Sequence, residues 1–131
     1  RPSMSTITVT NIKATGETVN RPVAGVAAAY ADFNTSSNNT IEDSVNIASK
    51  TDNGTGDSTL NYTSNMASAN YSAQPNGCIN AIGNSNQYDA DILGGSGKAA
   101  ASCRMQVFYD PGTVTGSDAD HQSLLIHGDL A

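Results

Sequence analysis

Hydrophobic and polar positions alternate with period two along much of this chain, the spacing of strands that bury one face. In "TITVT", Ile7 and Val9 share one face while Thr6, Thr8 and Thr10 share the other. "VNIAS" sets Val45 beside Ile47, and "STLNYT" sets Leu60 beside Tyr62 with Thr59, Asn61 and Thr63 opposite. "SCRMQVFY" sends Cys103, Met105, Val107 and Tyr109 inward and Arg104 and Gln106 outward. "QSLLIHG" predicts a final strand, buried on both faces if the run Leu124 to Ile126 is taken literally. The alanines of "GVAAAYADF" suit a helix, but Gly25, the β-formers at both ends and the polar loop that follows favour a strand packed close to a neighbour. The pattern predicts an all-β fold, a small antiparallel β-sandwich or barrel-like module.

Polar segments separate these runs. "NTSSNNT" (34–40) and "PGTVTGSDAD" (111–120) read as loops. The stretch from Pro75 to Ala101 reads as a long, functional loop unless it hides a short strand, with "GGSG" (94–97) as a flexible tip. "SKTDNGTGDSTLNYT" (49–63) admits three readings: a turn, a cation loop or a phosphate cradle. Asn53-Gly54 supplies two positions that tolerate positive φ, and Gly56 suits a bulge beside the turn. A calcium loop needs oxygen ligands at alternating positions and a downstream bidentate acid, whereas Asp52 and Asp57 are five apart, with Asn53 the one carboxylate or amide side chain between them, and no Glu follows. A phosphate cradle opens a helix, and Ser58 onwards alternates like a strand. Asp52, Asn53, Gly54, Gly56 and Asp57 are therefore read as a structural turn.

Composition sharpens this picture at two points. Twelve acidic side chains stand against six basic ones, a net charge of −6, and the cations are scattered, which argues against a nucleic-acid partner. Leu, Ile, Val and Phe make only 22 of the 131 residues, so the core is thin and burial between subunits is expected to supplement it. The longest apolar run, Val23 to Ala31, falls far short of the roughly 20 residues of a membrane span, and no stretch reads as a signal peptide. Arg1 to Ser3 ahead of Met4 read as an expression remnant. The expectation is one β domain over residues 4–131, with 4–22 as an assembly or attachment segment. Cys78 and Cys103 match no zinc spacing; a disulfide between them and a pair of free, buried thiols both remain open.

The segment "DSVNIASKTDNGTGDSTLNYTSNMASANYSA" (43–73) resembles a block found in tail-fibre and other virion-appendage proteins of tailed bacteriophages, particularly those of marine bacteria. In that family Asp-Ser-aromatic-Asn-Val leads into Thr-Asp-Asn-Gly-Thr-Gly-Asp, a strand and an Ala-Asn-Tyr-Ala step. Upstream, "RPVAGVAAAYADFN" is similar to the family's Ala-Trp-Val-Asn-Phe, with Tyr30 at the Trp position and Phe33 at the Phe. The start "MSTITVTNIKATGE" and the end "IHGDLA" resemble family termini, so the likeness covers most of the chain. Val45 and Ser58 stand where the family often has aromatics, and residues 75–101 have no family counterpart. The resemblance implies a virion structural protein made in the host cytoplasm, assembled as a homotrimer with other virion proteins. It would bind a host surface glycan or protein, without membrane insertion.

Candidate chemistry is sparse. Asp118, Asp120 and His121 are the one grouping that suggests metal ligands, but acidic residues in a polar loop are more often solvated. His127 with Asp129 reads as a strand-end histidine, and the His-x-His iron motif of some phage fibres is absent. Ser and Asp are abundant, yet no Gly-x-Ser-x-Gly elbow occurs. Glu17, Glu42 and the pair Asp89/Asp91 are the carboxylates a glycosidase reading would draw on. The preferred reading has no catalytic residue, no metal and no cofactor. "NSNQYDAD" (84–91) is the candidate contact patch, through Asn84, Asn86, Gln87, Tyr88, Asp89 and Asp91, since one aromatic among adaptable polar groups suits recognition. Tyr71 and Tyr109 are assigned to the sheet. The alternatives kept are a head-decoration or capsid-fibre protein and a carbohydrate-degrading fibre-tip enzyme.

Overall fold

The alternating runs form antiparallel strands in a computed structural model that describes residues 8–12, 21–22, 26–36, 39–78, 88–94, 96–109 and 115–131. In chain order these are β1 (Asn11–Ile12), β2 (Arg21–Pro22), β3 (Ala29–Phe33), β4 (Ile41–Val45), β5 (Ile47–Gly54) and β6 (Asp57–Tyr62). β7 (Ser72–Cys78), β8 (Tyr88–Ile92), β9 (Lys98–Ala99), β10 (Ser102–Tyr109), β11 (Thr115–Gly116) and β12 (His121–His127) follow. The protein is all-β, as its alternation predicts.

Two sheets and one small ribbon result. One sheet runs β4-β3-β12-β7. The other is built on β10, with β6 and β11 along one edge and β9 and β8 along the other, and β5 beyond β6. β7 lies against β8, and β4 continues into β5, so the two sheets curl towards each other as a half-barrel. β1 and β2 pair separately.

The inward faces meet in a core of Ala29, Ala31 and Phe33 from β3, Leu60 and Tyr62 from β6, Cys103, Met105 and Val107 from β10, and Leu124 and Ile126 from β12. Met66, Tyr71 and Ala119 close it. Many of these side chains are small, so the backbones must approach closely for the core to fill. At Gly77 an added Cβ would sit 2.5 Å from Val107 Cγ2, which is why β7 carries glycine where it crosses β10.

Several expectations are corrected by this arrangement. Thr8 and Val9 are not in a strand, and Val9 is exposed. Val45 and Ile47 do not share a strand: Asn46 between them takes φ +57° and passes the chain from one sheet to the other. Its side chain holds the corner, Nδ2 donating to Ser64 O at 3.0 Å and Oδ1 accepting from Ser64 N at 2.7 Å. Asn tolerates this left-handed conformation where a β-branched residue would not. Val45 is left 48% exposed while Ile47 packs against the core. β12 is not buried on both faces: Gln122, Leu124 and Ile126 point in, and Ser123, Leu125 and His127 are half-buried on the other side. The stretch 75–101 contains the end of β7, all of β8 and β9, and so is not one loop. Pro75 fits because β7 is the edge of its sheet, where a missing N–H costs no ladder bond.

Candidate recognition face

β6 and β10 bury alternate residues, and β8 half-buries Ala90 and Ile92 between exposed Asp89 and Asp91. With β5, which pairs with β6 and is mostly exposed, the outward residues form one solvent-facing surface. Asn61 opposes Ser102, Thr51 opposes Thr59 and Thr59 opposes Arg104. Asp57 opposes Gln106, which opposes Asp91, and Asp89 opposes Phe108. Hydrogen bonds hold these side chains in place. Asn61 Nδ2 donates to Ser49 Oγ at 3.1 Å and Thr51 Oγ1 at 3.2 Å. Asn53 Nδ2 donates to Thr59 Oγ1 at 2.8 Å and Asp57 Oδ1 at 3.3 Å.

Arg104 grips Asp57 with both arms of its guanidinium, Nε to Oδ1 at 2.9 Å and Nη2 to Oδ2 at 2.5 Å. Those bonds, with help from Asn53, hold the Asp57 carboxyl below the usual carboxylate range and push Arg104 further up. The Arg104 side chain is 46% exposed, so solvent screens the pair. Its value here is orientation. Asp89 Oδ1 accepts from Ala90 N at 2.9 Å and Asp91 Oδ1 from Ile92 N at 2.7 Å, which fixes both carboxylates against their own strand. Phe108, half-buried, adds an aromatic surface beside Asp89. Hydroxyls, amides, oriented carboxylates, one guanidinium and an aromatic ring are the groups that bind sugars and polar peptide without bond-making chemistry.

Of the expected contact patch, Asn84, Asn86 and Gln87 lie outside the described residues. Tyr88 opens β8 and pairs with Tyr109; the side chains of both lie outside the description. Asp89 and Asp91 are exposed, but on a paired strand and not on a free loop. The structure joins them to Asp57 of the glycine-rich turn, a neighbourhood set by pairing across β10 and invisible in sequence distance. Phe108 was missed as a surface group, although the outward parity of Arg104 and Gln106 already implied it.

The glycine-rich turn falls on Thr55 and Gly56 between β5 and β6, two residues later than the expected Asn53-Gly54. Gly54 (φ +132°) and Gly56 (φ +70°) are the positive-φ residues here, and Asn53 is not. Asp52 Oδ1 accepts from Gly54 N at 2.9 Å, and Gly56 N donates to Asp118 Oδ1 at 2.8 Å. Asp52 Oδ2 also accepts from Asn39 Nδ2 at 2.8 Å. Lys50 Nζ donates to Asn34 O at 3.3 Å and to Asn39 Oδ1, over the Phe33 ring. Burial lowers the Lys50 pKa, and Asp52 and Asp118 oppose that shift. The ammonium thus supplies positive charge amid these oxygens.

The remaining candidates are dispersed. Asp118 is engaged with Gly56, and Asp120 accepts a bond from Ser36 Oγ, while exposed His121 begins β12. Among the described residues no three His, Cys, Asp or Glu gather as metal ligands. His127 ends β12, half-buried. Glu42 is exposed on β4, and Glu17 lies outside the described residues. The disulfide alternative gives way to a free, fully buried Cys103. Cys103 pairs with Leu60 and Lys98 on the β10 sheet, whereas Cys78 closes β7 opposite His121 in the other sheet. Burial pushes the Cys103 thiol up, and it pushes Tyr71 up to about 12. Tyr71 packs edge-on against Tyr62, centroids 6.1 Å apart, and donates to Ser102 O at 2.9 Å. It is a core residue outside the strands. Comparison with family models, with curated proteins and with solved structures returned no match.

Proposed function

We propose that this chain is a non-enzymatic recognition and structural module of a bacteriophage virion appendage, most simply a tail-fibre or fibre-tip subunit. It assembles with copies of itself as a homotrimer and presents the polar face of the β10 sheet to a host surface glycan or protein. The observation that carries this reading is the joining of two separate sequence signals on one face. Asp57, from the block that resembles phage fibre proteins, and Asp89 and Asp91, from the contact patch, flank Arg104 and Gln106 across β10. A rigid sheet that displays fixed polar groups suits recognition, because little side-chain freedom is lost on binding.

Cryo-EM or antibody labelling of intact particles tests the location. Density for this chain on the tail supports the proposal; density on the head would favour a decoration role, and absence from particles would refute both. Sedimentation in native buffer should give a multimer of the 13.4 kDa chain, and a monomer at micromolar concentration would refute the assembly part. For host contact, Asp89→Asn with Asp91→Asn and Phe108→Ala should reduce binding of the labelled protein to host cells. Loss of polysaccharide turnover in the Asp89/Asp91 variant would instead establish the glycosidase alternative.

A further inference from the structure

Leu93, Gly94 and Gly97, between β8 and β9, together with Ile92, Lys98, Ala69 and Asn70, line a half-open pocket of about 350 Å³. This lies within the size range of small-ligand sites. Ala69, Ile92 and Leu93 give it an apolar wall, Asn70 an amide and Lys98 its charge. Gly97, buried, is among its lining residues, and an added Cβ there would collide with the Leu93 carbonyl, so this close backbone packing requires glycine.

Lys98 is held in place. Its Nζ donates to Tyr71 O at 3.0 Å and stands 5.5 Å from the Tyr71 ring centroid. One of three ammonium hydrogens is thereby used and two remain. Of the other cations whose side chains are described, Arg104 is committed to Asp57, and Lys50 to Asn34 and Asn39. On a chain of net charge −6 the pocket is thus a local positive site. A single ammonium with two free hydrogens matches one carboxylate. The apolar wall matches the C–H face of a ring, and the Asn70 amide matches a ring hydroxyl.

We propose that this pocket binds a hexuronate, a sugar ring bearing one carboxylate, with the carboxylate on Lys98 and a hydroxyl on Asn70. The site is separate from the polar face of the β10 sheet, and its test is independent of where the chain resides in a particle.

The test is a titration of the ¹⁵N-labelled full chain with sodium glucuronate, followed by amide chemical shifts, with glucose and sodium acetate as controls. Glucuronate should shift the amides of Asn70, Leu93 and Lys98 saturably, with a Kd on the order of millimolar for so small a ligand. Glucose and acetate should each bind about tenfold more weakly or worse, since each lacks one of the two contacts. Lys98→Met should weaken glucuronate about tenfold, and Lys98→Arg should retain most of the affinity. Asn70→Ala should weaken glucuronate while leaving acetate unchanged, and it decides the matter if Lys98→Met loosens Tyr71 and disturbs the fold. Absence of a saturable shift would overturn the proposal. So would glucose or acetate binding as tightly as glucuronate, or shifts confined to other surfaces.

Discussion

Replacing Gly56 separates a turn that is merely a turn from one that pins three segments together. Gly56 adopts φ +70°, and an added Cβ would collide with the Val107 carbonyl oxygen and lie 2.6 and 2.8 Å from the Ser117 backbone O and N. Its own backbone joins the same contact: its N–H reaches Asp118, its oxygen accepts from Val107 N at 2.9 Å, and Ser117 N donates to Val107 O at 3.0 Å. Gly54, two residues earlier, takes φ +132° with nothing within 4 Å of its missing Cβ. Gly54→Ala therefore incurs backbone strain alone, about 1–3 kcal/mol. Gly56→Ala incurs about 1–2 kcal/mol for the left-handed conformation and a further ~1–3 kcal/mol for overpacking against backbone that cannot rotate away. A total of about 2–5 kcal/mol is a large share of the roughly 5–15 kcal/mol that stabilises a domain.

Gly56→Asn is the decisive variant. Asn accepts the left-handed conformation, so it removes most of the dihedral cost and none of the collision. Urea unfolding followed by tyrosine fluorescence, suited to a chain with five Tyr and no Trp, gives each ΔG at constant m. Gly56→Asn should therefore remain destabilised by about 1–3 kcal/mol, the cost of the collision. Recovery to within about 0.5 kcal/mol of wild type would refute the three-way contact and leave an ordinary hairpin turn.

Three other outcomes follow from named contacts. Asn46→Ala loses the left-handed tolerance and both Ser64 bonds, so it should destabilise by about 2 kcal/mol, and Asn46→Gly should recover the backbone part only, both read by urea unfolding. Ser58 is fully buried with a hydroxyl that has no hydrogen-bond partner, so Ser58→Ala should raise stability by about 0.5–1 kcal/mol; a loss would mean the hydroxyl is bonded after all. Because Arg104 lowers the folded-state pKa of Asp57, that carboxylate's contribution is present above the ordinary Asp value and is lost as pH falls through the folded one. Thermal unfolding between about pH 2 and 5 should therefore show a shallower acid-side loss in Arg104→Gln, and added salt should shrink the difference.

What the alternation could convey depended on how local each signal was. Leu60 and Tyr62 on β6, and Cys103, Met105 and Val107 on β10, were legible because the two-residue period is a property of the strand itself. β12 misled because a polar residue occupies an inward position. Gln122 is buried and its Nε2 donates to Thr35 Oγ1 at 2.6 Å, a partner 87 residues away. Residues 75–78 of β7 and all of β8 are loop-like in composition, with Pro75, Gly77 and the Asp-Ala-Asp run. Pro75 is tolerated by an edge, Gly77 is required by Val107, and Asp89 and Asp91 face water while Ala90 and Ile92 pack inward.

By itself the sequence determined an all-β chain with a strand at β3, strand faces at β6 and β10, a glycine-dependent hairpin and a thin, small-residue core. These depend on backbone dihedral limits and side-chain period, which act over a few residues. Only the tertiary structure decided that Asn46 passes the chain between sheets and that Asp57, Arg104 and Asp91 share a face. It alone also placed Lys98 beside Asn70 over a pocket. Strand order and register arise from long-range packing of one face on another, and no short window of sequence carries that information.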